Sequence, residues 1–180
     1  MTSRGFYYLK IKNIQNIPLI LLASARKGSD TEKYLDIIFH DIAHIKIDLL
    51  DFVISPYDYS HNYPGNDNFI EISEQILSFD KIVFATPVYW YSMSGLMKTF
   101  FDRFTDLVTI QKQTGRKLAG KSTWLFAVGA DAELPQGFET PFRATSEYLH
   151  MNYNGSFYYS TKHANENSMI ESQRFKSHFQ

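Results

Sequence analysis

The chain has 180 residues, no cysteine and a formal net charge of −1. This length is typical of one domain built around a single core, so we treat residues 1–180 as one domain. Without cysteine, the chain cannot form disulfides, thiolate nucleophiles, cysteine-ligated zinc sites or cysteine-ligated iron–sulfur clusters. The near-zero charge argues against nucleic-acid binding through phosphate contacts and against a strongly acidic electron carrier. Any redox chemistry therefore requires a bound cofactor.

The N-terminal part of the chain has some sequence features of a secretion signal. Residues 1–16 are polar, with an aromatic cluster and no clear period, and we predict that they form an extension. The apolar run 17–22 is followed by Ala-Ser-Ala, as at a cleavage site, but it is shorter than a usual signal core and leads directly into a motif-like loop. We interpret it as the first buried strand. No apolar run approaches transmembrane length, which predicts a soluble, cytoplasmic protein without a membrane partner.

Strands and helices are predicted to alternate along the chain. Apolar runs predict strands over residues 17–23, 45–50, 82–85, 122–128 and 153–159. Apolar residues spaced by three and four predict helices over about residues 30–43, 68–79 and 94–108, and we also predict a helix over residues 138–151 and a polar C-terminal helix over residues 163–179. Because strands alternate with helices, we expect a parallel sheet with right-handed crossovers and helices on both faces.

The loop between the first strand and the first helix, residues 24–31, has the groups that bind a phosphate monoester. It carries three hydroxyls and Arg26, and it ends at a helix N-terminus, where free N–H groups and the helix dipole attract anions. A simpler alternative is that one hydroxyl or Asp30 only caps the helix. Capping alone does not require Ser24 and Arg26, so we favour a phosphate site.

A second candidate loop follows the third strand. Pro87 ends that strand, three consecutive aromatics follow at residues 89–91, and Ser92 or Ser94 is placed to cap the next helix. Ligands of open parallel sheets bind beyond the carboxyl ends of the strands, where an aromatic loop can meet a flat ligand. Core or interface packing is the alternative for these aromatics. Since three consecutive side chains cannot all face one core, we expect the first two to line a cleft.

Two motifs together resemble the flavodoxin-like family of NADPH-dependent FMN reductases and NAD(P)H:quinone reductases. They are Leu-Ala-Ser-Ala-Arg-Lys-Gly-Ser-Asp-Thr after the first strand and Thr-Pro-Val-Tyr-Trp-Tyr-Ser-Met-Ser-Gly-Leu-Met-Lys-Thr-Phe-Phe-Asp-Arg-Phe after the third. The element order is similar over nearly the whole chain. The resemblance implies an α/β flavodoxin-like three-layer sandwich, with a five-stranded parallel sheet of order 2-1-3-4-5. It also implies FMN as cofactor and NADPH or NADH as co-substrate.

The resemblance assigns a role to each loop. The residues implied around the FMN phosphate are Ser24, Arg26, Ser29, Asp30 and Thr31. Those implied along the isoalloxazine ring are Pro87, Val88, Tyr89, Trp90, Tyr91 and Ser92, and Gly129 of a third loop would let backbone approach the ring. Ala23 departs from the family, which often has glycine there, and a clash of its Cβ would weaken FMN binding. No side chain is assigned as a catalytic acid or base, because the flavin carries the chemistry.

The predicted function is reduction of a small acceptor, such as a quinone or free flavin, by NAD(P)H through FMN N5. The resemblance also implies a homodimer formed through residues 96–104, and we expect the loop 55–67 to select the acceptor. The alternative is a flavodoxin-type electron carrier or a non-catalytic FMN-binding module. Carriers are usually strongly acidic, so the near-neutral charge favours the enzyme.

Two other motifs match the residue patterns of different protein classes but lack the structural context that those patterns require. Residues 115–122 fit the phosphate-loop pattern of ATPases and GTPases, but they precede an apolar strand, whereas that loop must join a strand to a helix. His40 and His44 imitate a zinc-hydrolase helix, but aspartate replaces the required glutamate and both imidazoles lie opposite the apolar stripe. We therefore predict neither nucleotide hydrolysis nor a metal site.

Overall fold

A computed structural model describes residues 14–163 and 166–180 of the chain. Its strands are β1 (Leu19–Leu22), β2 (Ile45–Asp48), β3 (Lys81–Pro87), β4 (Ser122–Gly129) and β5 (Asn152–Ser160). All four pairings are parallel and the order is β2-β1-β3-β4-β5, which confirms the predicted sheet. Most of the predicted N-terminal extension, residues 1–13, lies outside the described residues; Ile14–Asn16 form a short 3-10 helix.

Helices cover both faces of this sheet, as predicted. They are α1 (Asp30–Ile38), α2 (Phe69–Ile76), α3 (Gly95–Asp102), α4 (Phe104–Val108), α5 (Lys112–Arg116), α6 (Thr140–Tyr148) and α7 (Glu166–Lys176). Two apolar clusters fill the spaces between the layers: α2, α3 and α6 pack on one face, and α1 and α7 on the other. Successive residues of β1 alternate between the two clusters, as expected of a strand buried on both faces.

The predicted helix over residues 94–108 is in fact two helices. It breaks at Arg103, whose N–H donates to the Thr99 carbonyl oxygen at a long 3.3 Å while its side chain turns toward Asp106. The first helix is shorter than predicted and ends at Ile38; Phe39, its C-cap, is fully buried and donates its N–H to the Leu35 carbonyl oxygen at 2.9 Å. Helix α5 was not predicted from the sequence. Five residues are too few to show a helical period.

The apolar stripe of α3 and α4 belongs to the core. Met97, Phe100, Phe101 and Phe104 are at most 8% exposed and pack against α2, α6 and one another. Leu96 and Val108 are half-buried. The stripe therefore lacks the exposed apolar area that a partner would need, and the predicted dimer contact through residues 96–104 stays a prediction that could use only the polar face of α3.

A buried charge network holds the long loop between β2 and α2 against α3 and α4. The Arg103 side chain is 1% exposed; its Nη1 donates to Asp67 Oδ2 at 2.8 Å and its Nε to Asp106 Oδ2 at 2.7 Å. Its guanidinium lies 3.5 Å from the centre of the Tyr63 ring, and Asp106 Oδ1 also contacts His61 Nδ1 at 2.9 Å. Burial opposes ionisation of Asp67, but Arg103 and two backbone N–H groups hold the pKa of this carboxyl below its ordinary value.

Removing the central cation should be costly because two buried carboxylates would lose their partner. We expect Arg103→Met to lower the free energy of unfolding by about 3 kcal/mol or more, measured by urea denaturation. The matched control is Arg143→Met, which removes an exposed guanidinium 3.6 Å from Glu147 and should cost about 0.5 kcal/mol or less. Similar losses in the two variants would show that the network contributes little.

Candidate functional site

Three loops meet at the carboxyl edge of the sheet. The pairing of β1 with β3 sets Leu22 beside Ala85, and the pairing of β3 with β4 sets Pro87 beside Val128. The loops that follow these strands are therefore neighbours. Two hydrogen bonds link them directly: Ser94 Oγ donates to the Ala23 carbonyl oxygen at 2.8 Å, and Val88 N–H donates to the Val128 carbonyl oxygen at 2.8 Å.

In the first loop, two buried hydroxyls lack partners. Ser24 and Thr31 are each 1% exposed, and neither side-chain oxygen has a hydrogen-bond partner among the residues that the structure describes. Buried polar groups are normally paired, so an unpaired pair at the start of α1 needs an explanation. A ligand oxygen received at this helix N-terminus would supply one.

The other predicted phosphate residues have different surroundings. Ser29 Oγ accepts the Glu32 N–H at 3.2 Å and is the N-cap of α1, so the capping interpretation holds for this residue. Asp30 is exposed and pairs with Lys33 at 3.2 Å. Arg26 is exposed, with no ion pair among the described residues, so its guanidinium remains available to an anion.

Sequence reasoning missed Lys27. Its ammonium contacts Asp48 at 2.7 Å and Asp51 at 2.8 Å, both at the carboxyl end of β2. Burial opposes its charge, but these two carboxylates raise the pKa of Lys27 above its ordinary value. The lysine therefore joins the first loop to β2 instead of offering a free charge to a ligand. Its partners lie more than twenty positions away in sequence, so no local pattern pointed to them.

The aromatic loop is a tight turn with an unfavourable backbone. Tyr89 and Ser92 exchange two N–H to carbonyl hydrogen bonds, of 2.9 and 3.0 Å, around Trp90 and Tyr91. These two central residues have φ of 47° and 64°, which is the left-handed region. Turns of this type favour asparagine or glycine, and a left-handed L-residue costs roughly 1–2 kcal/mol. The chain nevertheless places two large aromatics there, with Trp90 93% exposed and Tyr91 70% exposed.

This geometry decides which backbone donors of the second loop are free. The N–H groups of Val88, Tyr89 and Ser92 all donate within the protein. No acceptor is found for the N–H groups of Trp90 and Tyr91 within the described part of the chain. The turn can therefore offer a ligand two backbone donors at its tip, together with the faces of exposed aromatic rings.

Ser94 connects the two loops, and sequence reasoning had named it only as one of two possible caps. Its Oγ accepts the Met97 N–H at 3.1 Å, which makes it the N-cap of α3, whereas Ser92 is exposed. Its N–H donates to Thr86 Oγ1 at 3.0 Å. Ala23, which Ser94 contacts, is fully buried in the core cluster on the α3 side. The methyl group expected to disturb the phosphate loop is thus part of the core.

Gly129 is required by packing inside the protein. A Cβ at this position would lie 2.6 Å from the Tyr158 hydroxyl and 3.2 Å from the Val88 Cβ. Tyr158 in turn donates to the Asp131 carbonyl oxygen at 2.9 Å and so holds the third loop. A side chain at residue 129 would separate the second and third loops, which gives the glycine a reason that the sequence had not shown.

The two rejected motifs lie away from this edge. Residues 115–122 connect α5 to β4 at the amino end of the sheet, and Lys121 is buried, donating to the carbonyl oxygens of Leu77 and Phe79. His40 and His44 each contact a backbone carbonyl oxygen through Nδ1, at 3.0 and 2.7 Å. Among the described residues there is no group of three side chains that could hold a metal ion, and no helix long and apolar enough to cross a membrane.

Comparison with known proteins places the chain in a family. Residues 18–166 match the model of a family described as NADPH-dependent FMN reductase. YwqN of Bacillus subtilis, whose name proposes an NAD(P)H-dependent FMN-containing oxidoreductase, is 34% identical over 70 residues, or 38% of this chain and 39% of YwqN. The match covers 39% of YwqN and 48% of a second curated relative, YdeQ of Bacillus subtilis, which is called an uncharacterized NAD(P)H oxidoreductase, so the chain matches less than half of the length of each.

Solved structures with the same topology confirm the flavodoxin-like fold. An oxidoreductase from Corynebacterium diphtheriae has a TM-score of 0.69 at 18% identity, over 91% of this chain and 92% of that chain. An NADPH-quinone reductase from P. pentosaceus has a TM-score of 0.64 at 17% identity, over 91% of this chain and 98% of that chain. At these identities the likeness concerns the fold alone.

The strain in the aromatic turn can be measured by comparing two small residues. We expect Tyr91→Gly to be about 1 kcal/mol more stable to urea than Tyr91→Ala, because glycine adopts the left-handed conformation without penalty. The matched control is exposed Ile170 inside α7, where Ile170→Gly should be about 1 kcal/mol less stable than Ile170→Ala. The same order at both positions would contradict strain at Tyr91.

Proposed function

The chain belongs to the NADPH-dependent FMN reductase family, and on this basis we propose that it is an FMN-dependent reductase that transfers hydride from NADH or NADPH to a small acceptor. Bound FMN supplies the two-electron chemistry, and the protein supplies binding, orientation and electrostatics. In this proposal FMN lies across the carboxyl edge of the sheet. Its phosphate is at the first loop and its ring is beside the second and third loops.

The observation that carries the proposal is the pair of buried, unpartnered hydroxyls of Ser24 and Thr31. Both can donate to phosphate oxygens, the free N–H groups of the first turn of α1 can do the same, and Arg26 supplies a positive charge. Each buried hydroxyl left unpaired is unfavourable, so a ligand that pairs both gains affinity. The residues present at this loop therefore fit a phosphate monoester.

For the flavin ring, the proposal assigns backbone donors and aromatic faces. The N–H groups of Trp90 and Tyr91 can donate to acceptor atoms on the edge of the ring, including nitrogen that becomes electron-rich on reduction. Val88 and Gly129 form the adjacent wall. The proposal assigns no side chain as an acid or base, and it takes the proton that accompanies reduction of the acceptor from solvent.

A planar acceptor suits the surroundings of this turn. The rings of Tyr89, Trp90 and Tyr91 are 42–93% exposed and can stack on a quinone or a free flavin. The likeness to an NADPH-quinone reductase is consistent with a quinone. A homodimer is also part of the proposal, but since the α3 stripe is buried, its contact would lie at these exposed aromatics.

The reductase proposal predicts direct reduction of bound flavin. We expect FMN-loaded protein to lose its visible flavin absorption when NADPH or NADH is added without oxygen, and to recover it on addition of benzoquinone. The control is chemical reduction by dithionite, which should bleach the flavin whatever the protein does. Bleaching by dithionite but by neither nucleotide would instead favour an electron carrier or a non-catalytic FMN-binding module.

The phosphate assignment predicts opposite effects for two buried serines. Ser24→Ala should weaken FMN binding about tenfold, measured by quenching of flavin fluorescence, while costing little stability, because the hydroxyl has no partner in the protein. Ser146→Ala should lower stability by about 1 kcal/mol and leave FMN affinity unchanged, because Ser146 Oγ accepts from Thr123 Oγ1 at 2.8 Å, far from the site. Equal FMN affinity in the two variants would contradict the assignment.

A further inference from the structure

Glu32, in the first turn of α1, links the first loop to α1 and to β2. Its Oε2 accepts the Gly28 N–H at 2.8 Å, and its Oε1 accepts from Lys46 Nζ at 3.2 Å. Lys46 lies on β2 and also contacts Asp36 at 2.8 Å. Burial opposes ionisation of Glu32, but the Gly28 N–H and the Lys46 ammonium more than offset it and lower the pKa of this carboxyl below its ordinary value. A carboxylate therefore stands next to the loop that is proposed to bind an anion.

The contact with Gly28 controls the shape of this loop. Gly28 has φ of +62°, and a Cβ built there would meet no atom within 4 Å, so the glycine is needed for its conformation and not for space. The next residue, Ser29, caps α1. By accepting the Gly28 N–H, Glu32 holds the bend that leads into the helix N-terminus, where Ser24 and Thr31 have their unpaired hydroxyls.

Net charge does not favour an anion at this loop. Four basic and five acidic side chains surround it: Arg26, Lys27, Lys33 and Lys46, against Asp30, Glu32, Asp36, Asp48 and Asp51. The three lysines are each paired with one or two of these carboxylates. Affinity for a phosphate must then depend on hydroxyl and N–H donors that point at its oxygens. It therefore depends on the shape of the loop.

We propose that Glu32 is a positioning residue for the phosphate site, holding the loop in its ligand-receiving shape through Gly28 and Lys46. The negative charge of Glu32 is neutralised by Lys46 and screened by solvent, so it repels a phosphate only weakly. The loop conformation that Glu32 holds, in contrast, positions every hydrogen-bond donor of the loop. The inference rests on the proposed function, since it presupposes that the loop receives the phosphate of FMN.

The test compares FMN with riboflavin, which lacks the phosphate. Both are titrated into cofactor-free protein, with quenching of flavin fluorescence as the measurement. Glu32→Ala should weaken FMN binding about tenfold and leave riboflavin binding unchanged, because only the phosphate loop is disordered. Glu32→Gln should keep FMN affinity within about threefold of the wild type, because its amide oxygen still accepts the Gly28 N–H.

The matched control is Glu74→Ala, which removes the same charge from an exposed position on α2 and should change neither titration. Tighter FMN binding by Glu32→Ala would overturn the inference by showing that charge outweighs shape. An equal loss for FMN and riboflavin would also overturn it, because the effect would not be specific to the phosphate. If the wild-type protein binds FMN no more tightly than riboflavin, the phosphate assignment in the proposed function fails first.

Discussion

The pairing of β1 with β3 sets the relative position of the first two candidate ligand loops. These strands are not consecutive in the chain, yet they lie side by side in register, so the loops after Leu22 and after Pro87 open next to each other. A single side chain then joins the two loops: Ser94 caps α3 and donates to the Ala23 carbonyl oxygen. Because one serine serves both loops, a shift of α3 would move the phosphate side and the ring side of the site together.

Buried polar groups are treated differently in two parts of the fold. Around Arg103, buried charges are matched by Asp67, Asp106 and backbone groups, as the cost of an unpaired buried charge requires. At the first loop, the Ser24 and Thr31 hydroxyls remain unpaired within the described residues. The network holds the loop between β2 and α2, whereas the two free hydroxyls leave hydrogen-bonding capacity for a ligand. Unpaired buried hydroxyls cost some stability, and in the proposed function this cost is offset by affinity for the ligand.

Both candidate ligand loops are held by contacts within the protein, but by different means. The first is held by ion pairs to β2, through Lys27 with Asp48 and through Glu32 with Lys46. The second is held by the two hydrogen bonds between Tyr89 and Ser92, which keep two aromatics in left-handed conformations. Strain of this kind persists only where the surroundings impose it, and it is common where a backbone must present its groups to a ligand. Preorganised donors bind more tightly, because the ordering cost is met during folding.

The sequence alone determined the alternation of strands and helices, because it depends on local periodicity, and it marked two candidate ligand loops through short motifs. The order of the strands followed from the resemblance of those motifs to a known family. Only the tertiary structure decided that the α3 stripe is core, that the helix breaks at Arg103 and that Gly129 makes room for Tyr158. It also separated the capping Ser29 from the unpaired Ser24 and Thr31. Most of these facts depend on contacts between residues distant in the chain, as Gly129 with Tyr158 and Arg103 with Asp67, and no local pattern records which distant partner a side chain finds.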